Sequence, residues 1–285
     1  MSTASRDECM TVAASRRLRD GCVCFVGIGL PSEACNLARL THAPGIVLIY
    51  ESGTIGTRPD VLPLSIGDGE LAQTASCVVP LPEIFAYYLQ AGRVDIGFLG
   101  AAQVDRFGNL NSTVIGDYDH PTTRLPGAGG APEIAAHARE TLVMLKATPR
   151  SCVAELGFRT SAGFGAGGGA RARSNARGGG PRAVITDVGV LAPHARTEEL
   201  ELVALYAGTT ADEARAAFGW PLRVAARIDI LEPPTVQELE VLRALKARTA
   251  AAHARAVEIP GACGRGFSPD ALPDQKISST EQRRG

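Results

Sequence analysis

The sequence predicts an α/β fold built on an open, mainly parallel, helix-covered sheet in three layers. Short apolar runs rich in β-branched residues, such as Ile46–Tyr50, have the composition of strands that are buried on both faces. These runs alternate along the chain with segments that have helical spacing. A glycine turn, Gly27–Ser32, joins the first predicted strand to the helix that follows it. Such alternation is typical of parallel strands connected by helices.

The elements can be placed in order from these local patterns. Thr11–Asp20 is rich in alanine and arginine and free of glycine and proline, which predicts a first helix that ends at Gly21. The remaining elements follow from apolar runs and helical periodicity. Strands are expected at Cys22–Val26, Ile46–Tyr50, Val94–Leu99, Thr141–Leu145, Ala183–Ile185, Leu200–Leu205 and Leu222–Ile230, and helices at Glu33–Leu40, Glu83–Gln90, Glu133–Arg139, Ala211–Phe218 and Thr235–Arg255.

A single domain, residues 1–260, is expected because no second fold signature interrupts this pattern. Within it, residues 163–182 are rich in glycine and carry Arg171, Arg173 and Arg177, which predicts a mobile loop or a lid. Residues 261–285 are polar and poor in hydrophobic side chains, which predicts a disordered tail.

The overall composition excludes several classes of protein. The formal net charge of -1 gives no general electrostatic reason to bind nucleic acid or an anionic membrane. No stretch approaches the ~20 apolar residues that a membrane-spanning helix needs. The first ten residues, Met1–Met10, lack the apolar core of a secretory signal. We therefore expect a cytoplasmic protein that binds neither nucleic acid nor membrane.

The 7 cysteines are odd in number and form neither a CxxC pair nor a zinc-site spacing. They are therefore predicted to be reduced. Cysteines in apolar runs are predicted to be packing residues, namely Cys22, Cys24, Cys35, Cys77 and Cys152. Cys9 and Cys263 lie in the polar ends of the chain and could be reactive.

Glu51 is the first candidate for chemistry. It directly follows the apolar run Ile46–Tyr50 and precedes Ser52 and Gly53. In open α/β sheets the ligand crevice lies at the carboxyl ends of the strands, where this residue falls. A carboxylate that is partly desolvated there can act as a nucleophile or a base. The alternative is a polar residue that ends the strand and faces water.

A second candidate is the glycine-rich loop Gly127-Ala128-Gly129-Gly130-Ala131, which leads into a predicted helix. Adjacent glycines allow a sharp turn that aims backbone N–H groups at one point, and a helix N-terminus adds positive partial charge. This arrangement suits an oxyanion. The alternative is an ordinary strand-to-helix turn.

The loop Gly27–Ser32 resembles a dinucleotide-binding turn only superficially. Ser32 replaces the third glycine of G-x-G-x-x-G and Pro31 intervenes, so NAD binding is not expected. Gly27 and Gly29 could still hold an anionic group of a substrate, or they could serve tight packing of the helix on the strand.

Gln103 follows another predicted strand, and its amide can donate to a carbonyl oxygen. Asp105 and Asp117 are the nearest acidic candidates for a metal site. No clustered spacing of ligands supports one, so no metal is expected.

Three segments in this order, Tyr50–Gly53, Gly100–Asp105 and Gly127–Ala131, resemble the B chain of the family I CoA-transferases. The likeness runs from about Met10 to Arg255. Residues 23–51, 62–70 and 98–134 are most similar to B chains of the bacterial 3-oxoadipate branch of the family, and next to those of the glutaconate branch.

This resemblance implies a role for each candidate. Glu51 would attack the acyl-CoA thioester, form a mixed anhydride and then become a glutamyl-CoA thioester. Gly129 and Gly130 would supply backbone donors to the oxyanion, with help from Gln103. The flanking residues Gly127, Ala128, Ala131, Ser52, Gly53, Gly27 and Gly29 would line the substrate site.

The resemblance also implies partners and a reaction. The family divides its work between two similar chains, α (or A) and β (or B), so an α2β2-type assembly is expected. Succinyl-CoA and a 3-oxo dicarboxylic acid would react in the degradation of aromatic compounds, with the CoA thioester as substrate and no permanently bound cofactor. A glutaconate-type transferase and a CoA-thioester hydrolase or ring-opening enzyme are alternatives on the same fold. A small-molecule-binding scaffold is the alternative outside enzymes.

Overall fold

The computed structural model describes residues 4–258, with side chains through residue 254. The predicted tail, residues 261–285, and Cys263 lie outside the described residues. Among the residues described, no helix has the length and apolarity to cross a membrane.

A sheet of ten strands forms the centre of the protein, in the order β15-β14-β13-β12-β10-β5-β1-β2-β3-β4. Neighbouring strands from β12 to β2 in this order are parallel, as the sequence predicts. Antiparallel pairs extend the sheet at both ends. The strands are β1 (Val23–Val26), β2 (Val47–Ile49), β3 (Thr54–Ile55), β4 (Cys77–Val78), β5 (Ile96–Gly100), β6 (Gln103–Asp105), β7 (Leu110–Asn111), β8 (Val114–Gly116), β9 (Pro121–Arg124), β10 (Glu140–Met144), β11 (Cys152–Val153), β12 (Pro181–Ile185), β13 (Gly189–Pro193), β14 (Leu200–Tyr206) and β15 (Arg223–Leu231).

Helices cover both faces of this sheet, so the fold has three layers. Along β1, Cys24 and Val26 point to one hydrophobic core, while Phe25 points to the other, because successive side chains of a strand alternate between faces. The helices are α1 (Arg6–Ser15), α2 (Leu30–Leu40), α3 (Gly69–Gln73), α4 (Leu81–Glu83), α5 (Ala131–His137), α6 (Ala211–Ala216) and α7 (Val236–Glu258). Helix α2 packs in the first core and α5 in the second.

The first helix differs from its predicted position of Thr11–Asp20. Helix α1 begins after Ser5, whose hydroxyl accepts the N–H of Glu8, while the Glu8 carboxylate accepts the N–H of Ser5. This capping box fixes the start of a helix. The chain then leaves the helix at Arg16 and continues in tight turns. Gly21 is therefore not the residue that ends it.

The predicted helix Glu83–Gln90 is also only partly correct. The short helix α4 passes directly into a π-helix over Ile84–Leu89. In the π-helix the N–H of Gln90 donates to the carbonyl of Phe85, five residues earlier, at 2.8 Å. This wider turn accommodates one extra residue and changes the direction of the side chains.

The glycine- and arginine-rich segment is irregular, but its anchoring argues against a mobile loop or a lid. Arg171 is 6% exposed and donates to the carbonyl oxygens of Gly178 at 2.8 Å, Gly163 at 2.9 Å and Ala135 at 2.7 Å. One buried guanidinium thus joins both ends of the segment to helix α5.

The thiols of the described cysteines are free. Cys22, Cys24, Cys35 and Cys152 are buried, as expected for packing residues. Cys77 is exposed, so its prediction as a packing residue is wrong. It lies on β4, the last strand of the sheet, where no further strand of the described chain covers it.

Candidate active site

The position of Glu51 is set by a tight turn at the carboxyl end of β2. The N–H of Gly53 donates to the carbonyl of Tyr50 at 3.0 Å, and the chain returns as β3. Gly53 has φ +89, and a Cβ there would collide with the carbonyl of Val79. Tyr50 is fully buried and its hydroxyl is hydrogen-bonded to that of Ser32 at 2.9 Å. The turn therefore holds Glu51 on a rigid base.

The glycine-rich loop reaches the same place from a distant part of the chain. Gly130 is the N-cap of α5, and its N–H donates to Oε1 of Glu51 at 3.1 Å. Gly129 has φ +50, and a Cβ there would lie 3.3 Å from Oε2 of Glu51. Gly127, with φ +114, is fixed by its N–H bond to the carbonyl of Ser112 at 2.9 Å. The structure thus brings together Glu51 and the loop that the sequence singles out.

The strand order explains this meeting. Strand β1 is flanked by β2 on one side and β5 on the other, so the connections leaving β1 and β5 diverge at this point. Ligands of open α/β sheets bind in the crevice at such a switch point, outside the carboxyl ends of the strands. Glu51 follows β2 and Gly27 follows β1, both at this edge.

Burial raises the pKa of the Glu51 carboxyl, and the hydrogen bond from Gly130 opposes this shift. The side chain is half-buried. Because a desolvated carboxylate is less stabilised by water, it is a better nucleophile than one on the surface. The site combines such a carboxylate with a backbone donor at a helix N-terminus.

An aromatic side chain that the sequence reasoning missed closes the site. Phe85 lies in the π-helix and packs on Phe25 with ring centroids 5.7 Å apart. A Cβ at Gly130 would lie 2.7 Å from Cε1 of Phe85 and 3.0 Å from Oε1 of Glu51. The run Phe85-Ala86-Tyr87-Tyr88 is the only sequence signal for this wall, and it does not reveal which aromatic ring faces the site.

The amide of Gln103 is held by other parts of the protein. Its Nε2 donates to the carbonyl of Arg150 at 3.0 Å, and its Oε1 accepts from Nδ2 of Asn111 at 2.9 Å. An amide NH₂ group carries two hydrogens, so one remains for a further acceptor. Neither contact joins Gln103 to Glu51.

The other predicted lining residues have structural contacts of their own. The N–H of Gly27 donates to the carbonyl of Phe98 at 3.0 Å, and a Cβ at Gly27 would lie 2.9 Å from that oxygen. Close packing of β1 against β5 therefore requires this glycine. Gly29, with φ +83, is the N-cap of α2. The hydroxyl of Ser52 is 3.3 Å from that of Thr54.

No cluster of potential metal ligands occurs among the residues that the structure describes. The carboxylate of Asp105 accepts from the N–H of Phe107 at 2.9 Å and from Nδ2 of Asn109 at 2.8 Å. Asp117 accepts from the N–H groups of Asp119 and His120, both at 2.9 Å. Both aspartates therefore stabilise turns.

Comparison with known proteins gives consistent matches over most of the chain. The chain is 59% identical over 253 residues to the B chain of 3-oxoadipate CoA-transferase from Pseudomonas knackmussii, covering 89% of this chain and 97% of that one. It is 34% identical to the B chain of glutaconate CoA-transferase from Acidaminococcus fermentans, covering 83% of this chain and 90% of that one.

The fold agrees with these matches. The crystal structure of the Acidaminococcus fermentans glutaconate coenzyme A-transferase superposes with a TM-score of 0.79 at 32% identity, covering 84% of this chain and 94% of that one. The family model described as Coenzyme A transferase matches residues 8–216. The chain therefore belongs to the coenzyme A transferase family.

Proposed function

We propose that this chain is the β component of an enzyme that moves CoA from succinyl-CoA to 3-oxoadipate, a 3-oxo dicarboxylic acid formed in the degradation of aromatic compounds. The observation that carries this proposal is the Glu51 carboxylate held 3.1 Å from the N–H of Gly130 at the carboxyl edge of the sheet. Identity of 59% to one chain of a 3-oxoadipate CoA-transferase supports the choice of substrate.

Glu51 would carry the group that is exchanged. Its carboxylate attacks the carbonyl carbon of succinyl-CoA, the carbon–sulfur bond breaks, and CoA leaves as the thiolate, which yields a mixed anhydride. The thiolate then attacks the Glu51 carbonyl carbon and releases succinate, which leaves a glutamyl-CoA thioester. The carboxylate of the acceptor reverses these two steps. Covalent catalysis of this kind divides one difficult exchange into easier ones.

The backbone of the Gly127–Ala131 loop would stabilise the oxyanions that form in these steps. The N–H of Gly130 donates to the Glu51 carboxylate in the free chain. As the carboxylate is consumed, the same N–H can turn to the oxygen that becomes negative. A well-aimed donor of this kind contributes roughly 3 kcal/mol. The remaining Nε2 hydrogen of Gln103 is a further candidate donor.

A partner α chain would complete the enzyme, in an α2β2-type assembly. Both curated relatives are named as one of the lettered chains of their enzymes, so neither is a whole enzyme by itself. The half-open side of Glu51 would face the α chain and the acyl acceptor. CoA thioesters are the substrates, and nothing in the proposal requires a resident cofactor.

A glutaconate-type transferase is the second candidate, favoured by the structural match to that enzyme. The two candidates differ in the acceptor and share the role of Glu51. Rates measured with the purified α and β pair on a panel of acyl acceptors distinguish them. Faster transfer to glutaconate than to 3-oxoadipate would overturn the proposed substrate.

The role of Glu51 is tested by trapping the intermediate. The α and β pair is incubated with succinyl-CoA without acceptor, treated with borohydride, digested and analysed by mass spectrometry. Borohydride reduces a glutamyl thioester to the alcohol, so the wild-type peptide should carry this change at Glu51. Glu51→Gln should show none, whereas Glu133→Gln, which removes a partly exposed carboxylate, should retain it.

Three results would contradict this role. Modification at a residue other than Glu51 would move the nucleophile elsewhere. Release of free CoA without any trapped intermediate would favour the hydrolase alternative. Full turnover by Glu51→Gln with its partner chain would remove both enzyme roles and favour a scaffold.

A further inference from the structure

Phe85 occupies a position that the proposed chemistry leaves without a role. The π-helix around it is held by two bonds that each span five residues, from the N–H of Gln90 to the carbonyl of Phe85 and from that of Arg93 to Tyr88, at 2.8 and 2.9 Å. Single π-helical turns are rare and occur frequently at functional sites. The turn directs the ring of Phe85 against Phe25 in the core.

The outer end of the same ring reaches the candidate nucleophile. Cε1 of Phe85 and Oε1 of Glu51 lie within 2.7 and 3.0 Å of one point, the position of a Cβ at Gly130. Cζ of Phe85 lies closer still to this point. The ring edge, the N–H of Gly130 and the carboxylate therefore enclose one small space, in which no methyl group fits.

The type of side chain matters at this place. Tyr87 and Tyr88 follow on the same turn, and Tyr87 is 61% exposed. Only Phe85, whose Cζ approaches Gly130, lacks a hydroxyl group at that atom. A hydroxyl there would collide with Gly130 or place a polar oxygen beside the carboxylate. An apolar ring instead offers no hydrogen bond to a water molecule at the site.

We infer that Phe85 is a positioning residue that keeps water away from the Glu51 thioester, so that transfer to the acceptor is faster than hydrolysis. The inference rests on the proposed function. In the unwanted reaction, water attacks the Glu51 carbonyl carbon and the carbon–sulfur bond breaks. One water molecule is consumed, and the products are CoA thiol and the Glu51 carboxylate with release of one proton.

The test measures how each variant divides the intermediate between transfer and hydrolysis. The α and β pair is prepared with Phe85→Ala, Phe85→Leu and the matched control Tyr87→Ala on the same turn. Free thiol released from succinyl-CoA without acceptor reports hydrolysis, and product CoA thioester formed with 3-oxoadipate reports transfer. Phe85→Ala should raise the ratio of hydrolysis to transfer at least tenfold.

The control and the conservative variant separate this role from a general loss of structure. Phe85→Leu restores an apolar side chain and should return the ratio most of the way to the wild-type value. Tyr87→Ala should leave the ratio unchanged. A merely structural role would lower both rates together, so an unchanged ratio in Phe85→Ala overturns the inference.

The remaining outcomes are also decisive. If Phe85→Ala does not assemble with its partner, Phe85→Leu alone decides, and a ratio equal to wild type overturns the inference. Borohydride trapping of the wild-type pair distinguishes the two levels of the argument. Absence of a Glu51 adduct in wild type contradicts the proposed function, whereas a normal adduct with equal hydrolysis in all variants contradicts only the role of Phe85.

Discussion

The N–H of Gly130 donates to Oε1 of Glu51 at 3.1 Å, although the two residues are separated by 79 positions in the sequence. Parallel strands explain this contact. Glu51 follows β2, and the loop that contains Gly130 precedes the helix that connects back to β10 in the same sheet. The carboxyl ends of β2 and β5 lie at one edge, with only β1 between them, so the loops that follow them converge.

Gly130→Ala should lower the rate of transfer by about 100-fold, the typical effect of losing one oxyanion donor. The added methyl group would lie 2.7 Å from Cε1 of Phe85 and 3.0 Å from Oε1 of Glu51, so the loop must shift away from the carboxylate. Overpacking of this kind also costs about 1–3 kcal/mol of unfolding free energy. Transfer rates and urea unfolding of the variant measure both effects.

Gly69→Ala is the matched control for this change. Gly69 lies in helix α3, and a Cβ there would have nothing within 4 Å. Alanine should therefore raise the free energy of unfolding by about 0.5–1 kcal/mol and leave transfer unaffected. Wild-type activity in Gly130→Ala would show that this amide has no part in the chemistry.

Glu51→Gln should stabilise the chain at neutral pH. Burial raises the pKa of Glu51, so the folded chain binds this proton more tightly than the unfolded chain. The stability that this group contributes is full below the ordinary glutamate pKa and is lost as pH rises through the raised pKa. Glutamine stays neutral at every pH and can still accept the N–H of Gly130.

Melting temperatures measured from low to neutral pH check this prediction. The advantage of Glu51→Gln over wild type should be largest at neutral pH and should shrink as pH falls below the ordinary glutamate pKa. Glu155→Gln, at an exposed position, should show no such trend. A variant less stable than wild type at neutral pH would mean that the ionised carboxylate is favourable in the fold.

The difference between what the sequence could and could not predict follows the range of the interactions. Apolar runs such as Ile46–Tyr50 predicted the parallel centre and the edge at which Glu51 lies, because these depend on local patterns. The capping box at Ser5 was a local signal that was missed. The π-helix and the contact of Phe85 with Gly130 depend on packing between distant segments, which no local pattern records.

Arg171→Ala should destabilise the protein by about 3 kcal/mol, because it leaves several buried carbonyl groups without a donor. These include the carbonyls of Gly163, Gly178 and Ala135, the last in helix α5. Because Arg171 is committed to them, it is not free to bind the phosphates of CoA. Urea unfolding measures the loss of stability.

Arg173→Ala provides the comparison within the same segment. Arg173 is exposed and donates to the carbonyl of Gly168 at 3.0 Å, so its loss should change stability by less than about 0.5 kcal/mol, as is usual at the surface. If Arg173 or Arg177 contributes charge to CoA phosphates, the KM for succinyl-CoA should rise in their alanine variants. Equal stability of Arg171→Ala and Arg173→Ala would refute the anchoring role.

The pair of Glu8 and Arg243 should make stability depend on pH in a defined window. Arg243 donates to both carboxylate oxygens of Glu8, at 2.6 and 3.1 Å, and joins α1 to α7. These bonds lower the pKa of Glu8 to about 2, so the stabilisation is present above the ordinary glutamate pKa and is lost as pH falls toward 2. Glu8→Gln should cost up to about 1 kcal/mol at neutral pH. Urea unfolding should show this cost disappearing near pH 2, whereas Glu213→Gln, which breaks the more exposed pair with Arg6, should cost less at every pH. A cost for Glu8→Gln that is the same at both ends of the range would mean that the charge of Glu8 does not stabilise the contact between the helices.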